Sequence, residues 1–391
     1  MNSALFIEKL RSARLLILIL VCLTGFGCAS TTQGLKLVTP AEKERILSGG
    51  SLSPAIRRDL QLPDEDIFGL DKDMQQFADK AVGHNSEEIN RVYALLDALI
   101  SPDKLGLKFD TRETYTATGT FAKRQANCLS FTILVVSMLK YLGIHAEYNE
   151  VDIPPVWDLQ NNDTFILNQH VNAIVITPEG RRKVLDINMK EYSQYYLQRK
   201  LDEKRIEALF YNNRGIEYLL AGDTRQAFRY TRKAIELAPE LPIVWTNLGT
   251  LYRSQGKFRD AEVAIRIALE LNPDNLVAIS SAERNYRDLH EMQLAQQFRQ
   301  RAEAFREKNP YYRYTLARNE VIAGDYTAAL KDINAAIKLN KQEHRFFFLQ
   351  GVIYTALQEQ NAADISFKKA LQLASDPKQR DKYRHKMDLL I

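Results

Sequence analysis

Three residues in this chain could act together on a carbonyl: Cys128, His170 and Asp186. Cys128 lies in Ala126-Asn127-Cys128-Leu129-Ser130-Phe131-Thr132, where a polar loop gives way to the apolar run Ile133 to Leu139, stopped by Gly143. This pattern predicts a buried central helix with the cysteine in its first turn. The positive end of the helix dipole there favours thiolate and therefore nucleophilicity. His170 opens the apolar stretch Val171 to Ile176, and Asp186 closes Val184-Leu185-Asp186-Ile187. Nucleophile, base and a carboxylate to orient the base make up the set that thiol catalysis needs. Each residue also has a bland reading: a small core thiol, or a satisfied polar group at a strand end.

Strand register decides whether the last two can meet. Val171–Ile176 and Lys183–Ile187 read as two strands of a hairpin turning at Thr177-Pro178-Glu179-Gly180. A three-residue loop of Pro178, Glu179 and Gly180 sets Thr177 opposite Arg181 and His170 opposite Asn188. Asp186 is then a diagonal neighbour of His170 on the same face, within side-chain reach. A two- or four-residue loop would put them on opposite faces. The reading therefore requires an odd loop, and Gly180 suits a left-handed position in a three-residue turn.

The elements around these residues are helical first and extended afterwards. Helical patterns occupy about 71–82 and 86–100, the second with Asn85 and Glu88 as a start signal. Residues 107–118 are Thr-rich and read as loop with a short extended piece, and Ile144 to Ile153 reads as a strand. A helix followed by an antiparallel sheet is an α+β order. The charged, Tyr-rich stretch 187–207 is expected to be a connecting helix.

From residue 208 the sequence repeats every 34 residues, with starts at 208, 242, 276, 310 and 344. In the second copy Trp245, Leu248, Gly249, Tyr252, Ala261, Ala268 and Pro273 occupy offsets 4, 7, 8, 11, 20, 27 and 32. The first copy repeats Gly215, Tyr218, Ala227, Ala234 and Pro239, and the fifth has Gly351, Tyr354, Ala363 and Ala370. The third and fourth copies are degenerate but keep phase. This resembles the tetratricopeptide repeat, in which small residues let two antiparallel helices approach closely. The resemblance implies an all-α superhelical solenoid with a concave groove for a protein or peptide partner.

At the N-terminus, Lys9, Arg11 and Arg14 precede the apolar stretch Leu15 to Leu23 and then Thr24-Gly25-Phe26-Gly27-Cys28. This resembles a bacterial lipoprotein signal, with cleavage before Cys28 and lipid on its thiol. It departs from the usual pattern at Gly25, where an aliphatic residue is common. Ala29 and Ser30 after the cysteine fit outer-membrane sorting. The apolar stretch is short for a membrane span. Of the three cysteines, Cys22 falls in the removed segment and Cys28 carries the lipid, which leaves Cys128 alone. An unpaired thiol kept in an oxidising envelope is either well buried or reactive. The formal charge of +4 falls to +2 once residues 1–27 take away three cations and one anion. No long basic block suggests nucleic acid.

Residues about 63–200 resemble the transglutaminase-like superfamily, papain-related in logic. The resemblance rests on Asn127-Cys128-Leu129-Ser130, on Asn168-Gln169-His170-Val171-Asn172 and on Leu185-Asp186-Ile187, in the family's chain order. Val171 stands where an aromatic is common, and Ala126 where the family has a small residue or Gly. The resemblance implies attack of Cys128 on a carboxamide or peptide carbonyl, a thioester, and His170 as base then acid. The Cys128 backbone N–H would serve the oxyanion, with Gln125 a candidate side-chain donor. The expected organisation is a signal peptide (1–27), a tether with some helix (28–62), a transglutaminase-like domain (63–205), five repeats (206–377) and a cap helix (378–391). The expected function is that of a lipid-anchored, periplasm-facing thiol protease, amidase or acyl transferase without metal or cofactor. The alternatives are an inactive interaction scaffold and a non-catalytic binder of cell-wall material.

Overall fold

The computed structural model describes residues 36–54, 56, 61–84, 87–152, 156–158, 164–166, 169–177, 180–187, 198–374 and 377–388. The expected signal segment, Cys22 and Cys28 lie outside the described residues. Among the described residues, no helix is long and apolar enough to cross a membrane.

The stretch read as a tether is corrected in its described part, because it is docked. Helix α1 (Pro40–Leu47) starts with proline in its first turn and a reciprocal capping box between Thr39 and Glu42. Its Ile46 is fully buried. Helix α1 is held by charge as well: Glu42 pairs with Arg266 at 2.6 Å and Arg45 with Asp260 at 2.6 Å. The Tyr252 hydroxyl donates to the Ile46 carbonyl at 2.5 Å, and the Val38 N–H to Glu270 at 2.8 Å. Gly49 follows at φ 66°, and a Cβ there would lie 2.6 Å from the Phe228 ring. Only glycine satisfies both demands.

Next come α2 (Lys72–Val82), capped by Asp71, and α3 (Glu88–Ile100). The residue at the α3 cap position is Glu87, with no side-chain cap bond. The expected Asn85 lies outside the described residues. Strand β1 (Lys108–Phe109), the short extended piece within 107–118, pairs in parallel with β2 (Gln125–Ala126) around a short helix α4 (Ala117–Lys123). Helix α5 (Cys128–Tyr141) then runs through the core with every residue from Leu129 to Leu139 buried. A helix apolar on all sides must be enclosed. Each of its larger apolar side chains contributes about 1.5–3 kcal/mol by leaving water.

Strand β3 (Ala146–Asp152) leads to a small hairpin of β4 (Val156–Asp158) and β5 (Thr164–Ile166). Strands β6 (Gln169–Ile176), β7 (Arg182–Leu185) and β8 (Gln198–Leu201) follow. The main sheet is antiparallel in the order β7-β6-β3-β8. Residues 198–201, expected within a connecting helix, are thus its edge strand. Helix α5 packs on β6 and β3.

The remainder is helical. The repeats are built of α6 (Glu203–Leu220) with α7 (Thr224–Leu237), α8 (Pro242–Ser254) with α9 (Phe258–Leu271), and α10 (Leu276–Asp288) with α11 (Met292–Lys308). Then come α12 (Pro310–Ala323) with α13 (Tyr326–Leu339), α14 (His344–Ala356) with α15 (Gln360–Leu373), and a last helix α16 (Pro377–Asp388). Small residues let the paired helices meet: a Cβ on Gly249 would lie 2.8 Å from Ile265, and one on Gly351 2.5 Å from Phe367. First helices also touch in sequence, α6 on α8 and α8 on α10. The two halves meet as well. The Glu65 N–H donates to the Tyr211 hydroxyl at 2.8 Å, and β4 lies against α12.

Candidate thiol site

Cys128 is the first residue of α5, and its neighbours fix that end on several sides. The Asn127 side chain caps the helix by accepting from the Ser130 N–H at 2.8 Å. The same amide donates to Thr114 Oγ1 at 2.8 Å and to the Glu113 carbonyl at 3.2 Å. Ser130 Oγ accepts from the Tyr115 N–H at 2.8 Å. Thr132 Oγ1 lies 2.7 Å from the Cys128 carbonyl and 3.1 Å from the Val171 carbonyl, which ties the helix to β6. Thr114, 2% exposed, lies beside Glu217 of α6, and its polar groups favour the Glu217 carboxylate against the opposing effect of burial. Arg214 holds Glu217 from the other side at 2.7 Å. A line of neighbouring polar groups therefore runs from the first repeat to the cap of the cysteine helix.

The hairpin register is the one that the site requires. Ala173 pairs with Leu185, Ile174 with Val184, Val175 with Lys183 and Ile176 with Arg182. Continued toward the turn, this sets Thr177 opposite Arg181, and the Thr177 N–H donates to the Arg181 carbonyl at 2.9 Å. The loop has three residues, with Gly180 at φ 77°. Continued the other way, it sets Asp186 opposite Asn172 and on the same face as His170. His170 Nε2 and the Asp186 carboxylate are in direct hydrogen-bond contact. Their side chains are 8% and 1% exposed.

Cys128 completes the group. Its Sγ, one ring nitrogen of His170 and one carboxylate oxygen of Asp186 all lie within 4.8 Å of one another. Cys128 is half-buried, and hence still reachable. Burial pulls the His170 ring below its ordinary value, but hydrogen bonds and charge from Asp186 and Cys128 outweigh it and raise the ring to about 10. An imidazolium at neutral pH beside the sulfur is a proton donor in place for a departing amine. With Nε2 committed to Asp186, Nδ1 is the ring nitrogen left for the thiol. The same three residues are the one His/Cys/Asp/Glu group among the described residues with ligand atoms close enough for a metal ion. The direct His170–Asp186 bond turns those two ligand atoms toward each other, which is the geometry of a proton relay.

The structure thus brings Cys128, His170 and Asp186 together. Gln125, a candidate side-chain donor to the oxyanion beside the Cys128 N–H, sits in β2. The roles of Thr114, Ser130 and Glu217 were missed. Only Asn127, a capping residue just before an apolar helix, carried a readable signal. A further polar pair was missed on the sheet beside His170. Asn149 and Asn172 are directly opposed, bonded at 2.9 Å, and almost fully buried. Asn172 Nδ2 has no partner.

Comparisons with known proteins bear on the helical half. A tetratricopeptide-repeat family model matches residues 242–275, and a second one matches residues 314–379. Anaphase-promoting complex subunit 3 of Schizosaccharomyces pombe is 27% identical over 132 residues, covering 34% of this chain and 20% of that protein. The chain therefore spans about a fifth of the length of the relative it matches. Among solved structures, MamA from Desulfovibrio magneticus RS-1 is 17% identical, covering 44% of this chain and 96% of that one, with a TM-score of 0.25. YrrB, described as a tetratricopeptide-repeat protein with an unusual peptide-binding site, is 19% identical over 47% of this chain and 94% of its own, with a TM-score of 0.25. The C-terminal half of this chain is an all-helical solenoid of tetratricopeptide repeats.

Proposed function

We propose that residues 63–205 are a transglutaminase-like thiol enzyme acting on amide carbonyls, and that the repeats at 206–377, closed by a cap at 378–391, dock its protein partner. The observation that carries this reading is the Cys128–His170–Asp186 group at the start of a buried helix, all within 4.8 Å. Cys128 Sγ attacks the carbonyl carbon and forms a C–S bond. The departing amine takes the proton held by His170, leaving a thioester and a neutral ring. His170 then takes a proton from water or from a second amine as that nucleophile attacks, and the C–S bond breaks. Asp186 keeps the ring oriented and stabilises its cationic form. The Cys128 backbone N–H, in the first turn of α5 where helix N–H groups lack intrahelical partners, is the donor this reading assigns to the oxyanion. Anchoring through lipid on Cys28, facing the periplasm and in the outer membrane, completes the proposal from the sequence pattern.

The test is intact-mass labelling with iodoacetamide at pH 6.5, on full chain carrying Cys22→Ser and Cys28→Ser so that Cys128 is the only thiol. Rapid single labelling, slowed about a hundredfold or more in His170→Ala, is expected from a working pair. Equal rates in both proteins would contradict it. A second reading, an interaction scaffold that has lost turnover, draws support from the tetratricopeptide family matches. It predicts partner capture by the repeats that survives Cys128→Ala in full.

A further inference from the structure

The repeats put equal offsets to equal use, and one joint departs from that use. Offset 8 faces offset 24 across each helix pair: Gly215 meets Thr231, Gly249 meets Ile265 and Gly351 meets Phe367. In the fourth copy the same offsets hold Ala317 and Ile333, both fully buried. In the third they hold Glu283 and Arg299, bonded at 3.2 Å. The departure continues into the next repeat. Offsets 24 and 28 of the second copy, with offset 4 of the third, are Ile265, Leu269 and Ile279, all at most 3% exposed. Their counterparts between the fourth and fifth copies are Ile333, Ile337 and Phe347. Between the third and fourth they are Arg299, Glu303 and Arg313.

A charged layer cannot close like an apolar one, and a cavity of about 540 Å³ opens where α10, α11 and α12 meet. That is the size range of small-ligand sites. Several of its charges are spoken for: Glu283 is shared by Arg287 and Arg299, and Arg313 pairs with Asp332 at 2.8 Å. Arg306 has a buried Nε with no hydrogen-bond partner. Glu303 and Glu307, one turn apart on the same helix, line the cavity with no ion pair among the described residues. The Arg306 Nε is closed to solvent, but Arg306 also lines the cavity and has no ion pair among the described residues, and the terminal N–H groups of a guanidinium suit a carboxylate. Two unpaired carboxylates beside a single unpaired guanidinium repel a dianion and attract a cation.

We propose that this joint binds a short zwitterionic peptide, with its carboxylate on Arg306 and its ammonium groups on Glu303 and Glu307. The site lies inside the joint between consecutive repeats and is independent of Cys128 chemistry. The probe is the tripeptide Lys-Ala-Ala, titrated calorimetrically into the full chain with Cys22→Ser and Cys28→Ser in detergent. Saturable one-to-one binding is expected, at least tenfold weaker for the C-terminal amide of the same peptide. Arg306→Gln should weaken the free acid to the level of the amide and leave the amide unchanged, and Glu303→Gln with Glu307→Gln should weaken both severalfold. Thermal unfolding checks that the variants fold, and the acid–amide contrast needs no variant. No binding of the free acid at millimolar concentration, or equal binding of acid and amide, would overturn the proposal. Inorganic phosphate binding more tightly than the peptide would overturn it in favour of a simple oxyanion site.

Discussion

The sheet half and the repeat half solve the problem of placing a side chain in opposite ways. In the repeats, position is redundant: the same small residue at the same offset brings two helices together again and again, and neighbours share the load. The third copy shows how much this tolerates, since Glu283 and Arg299 replace a glycine and an apolar side chain without breaking phase. In the sheet half, position is unique. Cys128, His170 and Asp186 come from a helix start, a strand start and a strand end, and one loop length brings the last two to one face. The solenoid degrades gradually under change, whereas the thiol site is all or none.

Deleting Glu179 should break that contrast most sharply. A two-residue loop moves Asp186 to the opposite face from His170. Labelling of Cys128 at pH 6.5 should then fall by about two orders of magnitude or more, with the helical circular dichroism of the repeats retained. Gly351→Leu is the converse change. A Cβ there meets the Phe367 ring at 2.5 Å, so overpacking should cost about 1–3 kcal/mol in chemical denaturation. The labelling rate should not move. Glu217→Gln probes the line that joins the halves: it weakens the hold on Thr114 and the Asn127 cap, worth about 1 kcal/mol, and should slow labelling severalfold. An unchanged rate would mean that the halves are merely adjacent.

The smallest effect concerns α1. The Thr39 backbone N–H and Arg266 hold the Glu42 carboxyl down at about 2. A depressed carboxyl contributes stability above its ordinary value of 4.5, lost as pH falls from there through about 2. Hydrogen exchange over 38–54 should therefore rise between pH 5 and pH 3 relative to the rest of the chain. Glu42→Gln should flatten that rise.

What could be read beforehand follows the same divide. The repeats announce themselves because an identical constraint recurs at Gly215, Gly249 and Gly351, so the period is visible even where Glu283 interrupts it. The thiol residues were legible because Cys128 interrupts an apolar helix start and because Gly180 pins the hairpin. The Thr114–Glu217 contact was not, since it joins residues far apart in sequence with no shared pattern. Strand β8 was missed because its lysine and arginine face outward at a sheet edge, where charge is usual. The stretch holding α1 reads as a tether with some helix, and its docking is invisible for a related reason: its polar residues bond to Arg266 and Asp260, partners that only the folded repeats supply.

The most direct measurement is the protonation state of the His170 ring, followed by 15N NMR on histidine-labelled full chain, with His170→Ala to assign the signal. The account predicts an imidazolium at pH 7 that loses its proton only near pH 10. It also predicts a large downward shift of that titration in Cys128→Ala. A neutral ring at pH 7 in the unsubstituted chain, titrating near the ordinary histidine value of about 6.5, would contradict the charged imidazolium on which the proposed chemistry rests.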